Sequence, residues 1–181
     1  MIKDLVVKAY ILSQEAHQGQ KRKFSGLDYF THPKYVARVI EHLTKNETLI
    51  AAALLHDVIE DTKHTAKDVE SIVGHEVTEI VFELTIDKKD KLYKKSKAEY
   101  LSQKILIMSE GAFTIKLADR FHNVLFLEED NVNISFKKKY WLETKTMMKA
   151  VKARKLDRAQ DALVDRINAV LKFLEVRYEW S

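Results

Sequence analysis

Apolar residues recur at intervals of three and four along almost the whole chain, the spacing that lines one face of an α-helix, and a strand-like alternation is hardly seen. Ile2, Leu5, Val6, Ala9, Leu12 and Ala16 mark the buried stripe of a first helix running to about Gly19. Tyr35, Val36, Val39, Ile40 and Leu43 mark a second, with Pro33 in its first turn. Asn46 caps a third, which carries the apolar run 50–55 and is expected to continue to Asp61-Thr62. Thr65 and Asp68 resemble a capping box for a short helix to Val73, stopped by Gly74. Another, from Glu76 to about Thr85, buries Val77, Ile80, Val81 and Leu84. A long helix from about Ser96 through Leu101, Ile105 and Met108 is expected to end near Gly111, with further helical spacing over Thr114 to Val124. Ile134 to Ser181 divides near Asp157 into two amphipathic helices, one carrying Phe136, Tyr140, Trp141, Met147 and Val151, the other Leu163, Ile167, Val170, Leu171 and Leu174.

This pattern, with only four glycines and one proline in 181 residues, predicts an all-α fold. The one stretch with hairpin chemistry is Gln18 to Phe30, so at most a short β-hairpin is expected near residues 20–30. At 46% hydrophobic, the chain is long enough to bury a core as one domain over residues 1–181, with the helices of residues 134–178 serving as scaffold.

Two segments break the amphipathic rule. His56, Asp57, Glu60 and Asp61 follow directly on Ile50-Ala51-Ala52-Ala53-Leu54-Leu55, with Val58 and Ile59 interleaved, as if ionisable groups were sunk into a core. On a continuous helix His56 would stack over Glu60 and Asp57 over Asp61. Asp119, His122 and Asn123 are likewise surrounded by Leu117, Phe121 and Val124, and helical spacing puts Asp119 and Asn123 on one face. Buried carboxylates need partners, and a divalent metal held by imidazole and carboxylate is one that suffices. Arg120 could instead pair with an acid, and His122 reads as a satisfied core group. His32 at a helix entrance serves either as a surface group or as a partner to these residues.

Composition narrows the chemistry. Seven histidines and no cysteine exclude disulfides, thiolate metal sites and cysteine nucleophiles, leaving N and O ligands. No apolar stretch approaches the roughly 20 residues of a membrane span, and a cytoplasmic protein is expected. A net charge of +4 suits a small phosphorylated substrate better than duplex DNA, so nucleic acid is an unexpected partner. Lys21, Arg22 and Lys23, beside two glycines and a serine, are either solvated loop charges or a phosphate grip. The six lysines from Asp87 to Lys97 read as a solvated loop or the outer face of a helix, or else as a lid or polyanion contact. Lys137-Lys138-Lys139 is most simply a solvated face, and could also support a homodimer contact or nucleic acid.

His32-Pro33, His56-Asp57, Glu60-Asp61-Thr62 and Leu117-Ala118-Asp119-Arg120-Phe121-His122-Asn123, preceded by His17-Gln18-Gly19-Gln20-Lys21-Arg22-Lys23, resemble in order the motifs of the HD-domain hydrolases of the RelA/SpoT type. The motifs fall within residues 17–123. The resemblance implies a helical, generally manganese-dependent enzyme that removes the 3′-pyrophosphate of guanosine tetra- and pentaphosphate alarmones. It implies His32, His56, Asp57 and Asp119 as metal ligands and Glu60 and Asp61 as the residues that position and activate water. Arg22, Lys23 and Asn123 would contact the nucleotide.

Such a site needs no covalent intermediate, since a divalent metal both acidifies water and polarises a phosphoryl oxygen. Leu125 and Phe126 stand where the family commonly has arginine and threonine, and Thr85-Ile86-Asp87 departs from the usual continuation there. The alternatives are therefore another phosphorylated nucleotide as substrate, such as NADPH, or a non-catalytic nucleotide binder.

Overall fold

The structure, a computed structural model, describes residues 4–23, 25–128 and 132–180; Ile2, Phe24 and Ser181 of the predicted elements lie outside them. Eleven helices follow one another among the described residues, and the only β feature is a single antiparallel bridge between Lys21 and Asp28. The all-α expectation holds, with the hairpin reduced to its minimum. No helix among the described residues is long and apolar enough to cross a membrane.

Backbone contacts divide the chain into two compact units. The first, Met1–Ile86 with Ser109–Asp119, holds α1 (Asp4–Ala16), α2 (Thr31–Leu43), α3 (Glu47–Leu55), α4 (Val58–Asp61), α5 (Ala66–Val73) and α6 (His75–Leu84). It also takes α9 (Glu110–Leu125) as far as Asp119. α3 is its centre. Ala51 to Leu55 are buried without a break, as a helix apolar on every face requires, and α1, α2 and α6 pack around it. Gly111 belongs to the interior of α9, since α8 stops at Ile107. A Cβ at Gly111 would stand 2.6 Å from Leu49 Cδ2, so this glycine marks a close approach of α9 to α3 and not the helix stop expected from the sequence.

The predicted caps are present. Asn46 accepts from Leu49 N at 3.2 Å, and Thr65 with Asp68 forms a complete capping box. The third helix, however, does not run to Asp61. α3 ends at Leu55, and α4 starts afresh at Val58 after Asp57, whose φ of −103° and ψ of −5° lie in the bridge region. Side chains take the carbonyls that the helix end leaves over: the His56 ring donates to Ala53 O (2.8 Å) and Ser13 Oγ to Leu54 O (2.6 Å). The stacked ridges expected of His56 over Glu60 and Asp57 over Asp61 are therefore replaced by a turn.

The second unit, Asp87–Met108 with Arg120–Ser181, holds α7 (Lys91–Lys95), α8 (Lys97–Ile107), α10 (Ile134–Val151) and α11 (Arg158–Tyr178). The lysine-rich segment is not all loop: Asp90 caps α7 through Leu92 N and Tyr93 N. α8 and α10 pack together, and the buried Trp141 donates its Nε1 hydrogen to Leu171 O (3.0 Å) of α11. Arg120 pairs with the buried Glu143 (3.3 Å), the structural pairing left open by the sequence. Lys137 departs from the solvated reading of its lysine run. It is buried, and its ammonium donates to Glu128 O (3.1 Å) and Tyr178 Oη (3.2 Å).

Two stability predictions follow from these end interactions. Asp157 caps α11 in a capping box with Gln160, so Asp157→Ala should lower unfolding free energy by about 1 kcal/mol in urea titrations. Glu128 accepts from Tyr178 Oη (2.6 Å) and Arg177 Nε (2.7 Å). Partial burial opposes its ionisation, but these donors and the Lys137 charge outweigh burial and hold the carboxyl below its ordinary range. A depressed folded pKa stabilises above the unfolded value of about 4.3, and that contribution disappears as pH falls through the folded value. Glu128→Gln should therefore destabilise the chain at pH 7, with the difference from wild type shrinking steadily in melts below about pH 4.

Candidate metal centre

Four of the sequence-predicted ligands meet in the first unit. α2 opens at Thr31 and delivers His32 from its first turn, the end of α3 delivers His56, the turn before α4 delivers Asp57, and α9 delivers Asp119. His32 Nε2 and His56 Nε2 are 3.2 Å apart, with both rings buried. Asp119 Oδ1 lies 3.2 Å from His32 Nε2 and 3.9 Å from His56 Nε2. Asp57 Oδ2 lies 3.2 Å from His56 Nε2 and 3.6 Å from His32 Nε2. One donor atom from each of His32, His56 and Asp119 lies within 4.8 Å of the other two. Asp57 stands outside that triad.

The ring orientations follow from their outer partners. A carbonyl only accepts, so His56 Nδ1 carries hydrogen toward Ala53 O, which turns Nε2 into the cluster. Lys116, buried on α9, donates to Asp119 Oδ2 at 2.9 Å and leaves Oδ1 to face the histidines. The Tyr29 hydroxyl donates to Asp57 Oδ2 at 2.6 Å and reaches Asp61 Oδ2 at 3.4 Å.

Protonation is divided unequally here. Burial lowers the pKa of His32, and the neighbouring His56 adds to that effect. Burial acts in the same direction on His56 but is outweighed by the adjacent Asp57 carboxylate, which lifts its pKa to about 9. For Asp57, burial is outweighed by the charge of His56, and its carboxyl is held below its ordinary range. Asp119 is also held low, burial being overcome by the Lys116 ammonium and then by His32. Tyr29 stays protonated far above its ordinary range through burial and the Asp57 charge. Ionised carboxylates converging on imidazole nitrogens form a hard, mixed N/O donor set that fits a divalent cation, which can take the place of the shared protons.

The other predicted residues are placed differently. Glu60 is half-buried, with Oε2 accepting from Ile86 N at 3.0 Å, and Asp61 is exposed at the end of α4. Arg22 and Lys23 lie on the bridged loop, where Arg22 N donates to Leu27 O (2.8 Å). Asn123, half-buried, belongs to the second unit, as do the exposed Leu125 and the half-buried Phe126, whose ring packs on His122 at 4.8 Å. Sequence reasoning missed Tyr29 and Lys116. Lys116 carried a legible signal, a lysine between Ile115 and Leu117 three residues before a buried aspartate. Tyr29 carried none.

The sequence matches the HD domain family over residues 9–156. It is 41% identical over 124 residues to GTP pyrophosphokinase rsh of Brucella melitensis, a stretch covering 66% of this chain and 16% of that protein. It is also 41% identical over 123 residues to the bifunctional (p)ppGpp synthase/hydrolase SpoT of Escherichia coli K12, covering 65% of this chain and 17% of that one. The chain thus spans about a sixth of the length of the curated relatives it matches. A solved structure of a metazoan ortholog of SpoT, which hydrolyzes ppGpp and plays a role in starvation responses, aligns with a TM-score of 0.81. It is 25% identical, and the alignment covers 92% of this chain and 95% of that one. All the side chains gathered around the two buried histidines fall inside the family match, and the chain belongs to the HD domain family.

Proposed function

We propose that this chain is a manganese-dependent hydrolase that removes the 3′-pyrophosphate of guanosine tetra- and pentaphosphate, giving GDP or GTP and pyrophosphate. The observation that carries the reading is the convergence of His32 Nε2, His56 Nε2 and Asp119 Oδ1 in a buried cluster. The substrate is suggested by the likeness to the (p)ppGpp synthase/hydrolase and to the ppGpp-hydrolysing ortholog.

In this reading His32, His56, Asp57 and Asp119 hold the cation. Bound there, a divalent metal supplies Lewis-acid polarisation of a phosphoryl oxygen and lowers the pKa of water. Lys116 keeps Asp119 ionised and directs one oxygen inward, and the Tyr29 hydroxyl donates to the same Asp57 oxygen that faces the histidines. Glu60 and Asp61 orient the attacking water and receive its proton. The bond from Ile86 N holds one Glu60 oxygen in place and leaves the carboxylate a defined direction. Arg22 and Lys23 on the bridged loop, and Asn123 on α9, contact the nucleotide, the two cations offsetting its phosphate charge.

The direct test incubates metal-stripped protein with guanosine tetraphosphate, with and without Mn²⁺, and follows GDP and pyrophosphate by nucleotide chromatography, with NADPH in parallel. Manganese-dependent release of GDP and pyrophosphate is expected. Turnover that survives removal of metal would overturn the mechanism, and turnover of NADPH alone would overturn the substrate. Two variants separate the roles. Asp119→Ala should abolish both Mn²⁺ binding by calorimetry and turnover. Glu60→Gln should bind Mn²⁺ as wild type does while kcat falls by roughly 10²- to 10⁴-fold.

A further inference from the structure

The stretch His17-Gln18-Gly19-Gln20 belongs to the motif pattern, yet no step of the proposed chemistry uses it. His17 directly follows the last residue of α1, its N donating to Ser13 O (3.1 Å), and is 2% exposed. Gly19 adopts φ of +77°, a value open chiefly to glycine, and the chain turns there so that Gln20 N donates to His17 O at 3.0 Å. The turn brings the Gln20 amide back beside the ring: His17 Nδ1 and Gln20 Oε1 are 2.9 Å apart. Gln20 Nε2 donates to the main-chain O of Asp61 at 3.1 Å. That bond sets the direction of the amide, so Oε1 faces the ring and Nδ1 is the atom that carries hydrogen. His17 Nε2 is buried and meets no hydrogen-bond partner among the described residues.

Asp61 ends α4, a helix of four residues whose last carbonyls have no following turn to accept from. So short a helix has little stability of its own, and its position depends on outside bonds. His17 supplies two. One arm runs through Gln20 to the Asp61 main chain. The other runs through Tyr29: its ring lies 4.7 Å from that of His17, its N donates to Gln20 O (3.0 Å), and its hydroxyl lies between Asp57 Oδ2 and Asp61 Oδ2.

We infer that His17 is a positioning residue, a clasp that acts through Gln20 and Tyr29 to hold the α4 turn, and with it Glu60 and Asp61, in register with Asp57. The inference rests on the proposed roles of Glu60 and Asp61, and His17 acts through its contacts with Gln20 and Tyr29.

The test compares wild type with His17→Ala, His17→Asn and His17→Gln. An asparagine amide nitrogen falls near the place of Nδ1 and a glutamine amide nitrogen near that of Nε2, so the pair asks which ring nitrogen matters. Three quantities are measured: amide hydrogen exchange over residues 58–62, Mn²⁺ affinity, and kcat and KM on guanosine tetraphosphate. In His17→Ala the exchange should quicken by about tenfold or more while kcat falls by at least about tenfold, with KM and Mn²⁺ affinity within about twofold of wild type. His17→Asn should restore both exchange and kcat, and His17→Gln neither. Unchanged exchange in His17→Ala would overturn the clasp, as would rescue by glutamine instead of asparagine. A loss of Mn²⁺ affinity in step with melting temperature would also overturn it, marking His17 as merely structural. If wild type fails to hydrolyse the alarmone, the proposed function falls, while the exchange comparison, which needs no substrate, still decides the clasp.

Discussion

Two imidazole nitrogens 3.2 Å apart in a buried setting are the constraint on which the first unit depends. Left to themselves, two such rings could not both carry charge, and the two carboxylates beside them, Asp119 buried and Asp57 half-buried, could not stay ionised without partners. Together they satisfy each other: Asp57 and Asp119 stabilise charge on the rings, the rings stabilise charge on the carboxylates, and Lys116 completes the balance behind Asp119. The same arrangement converges donors of the kind a divalent cation takes, so the features that make the cluster tolerable without metal also ready it for one.

Bringing those groups together shapes the backbone around them. α3 is apolar on every face because it runs through the centre of its unit, and it ends where polar groups must be delivered. Had it continued as one helix, His56 and Asp57 would point in directions about 100° apart. The turn at Asp57 changes that: both side chains reach the cluster, while the freed carbonyls of Ala53 and Leu54 are taken by His56 and Ser13. The break is thus a local consequence of bringing two adjacent side chains to one point, and the leftover helical turn, α4, carries Glu60 and Asp61.

A four-residue helix needs support from outside, and the loop between α1 and α2 provides it. Gln20 and Tyr29 bond to the turn from opposite ends of that loop, and the bridge between Lys21 and Asp28 closes it. Lys21 and Asp28 also form an ion pair through their side chains. Arg22 and Lys23 lie within the closed loop, so a segment that would otherwise be a solvated basic connection is tied by its base to the acids of α4.

Much of this was legible in the sequence. Helical periodicity and the scarcity of glycine and proline determined the fold class, because a 3.6-residue repeat can bury a continuous stripe only as helix. Asn46 and the Thr65-Asp68 pair determined two helix starts, since capping is a local bond between neighbours in the chain. His56, Asp57 and Asp119 stood out because charged groups among apolar ones need a reason to be there, whereas His32 entered only through the ordered family motifs. Tertiary structure decided what depends on residues distant in sequence. Gly111 looked like a helix stop and proved to be a point of contact with Leu49; Lys137 looked solvated and proved to be buried on Glu128 and Tyr178. The break at Asp57 and the partners of Glu60, Asp57 and Asp61 were beyond local reading for the same reason: Ile86 N, Tyr29 Oη and Gln20 Nε2 reach them across separations of 26, 28 and 41 residues. Periodicity and capping act over one or two turns, whereas the geometry of a site is set by whichever side chains the packed core brings to the same place.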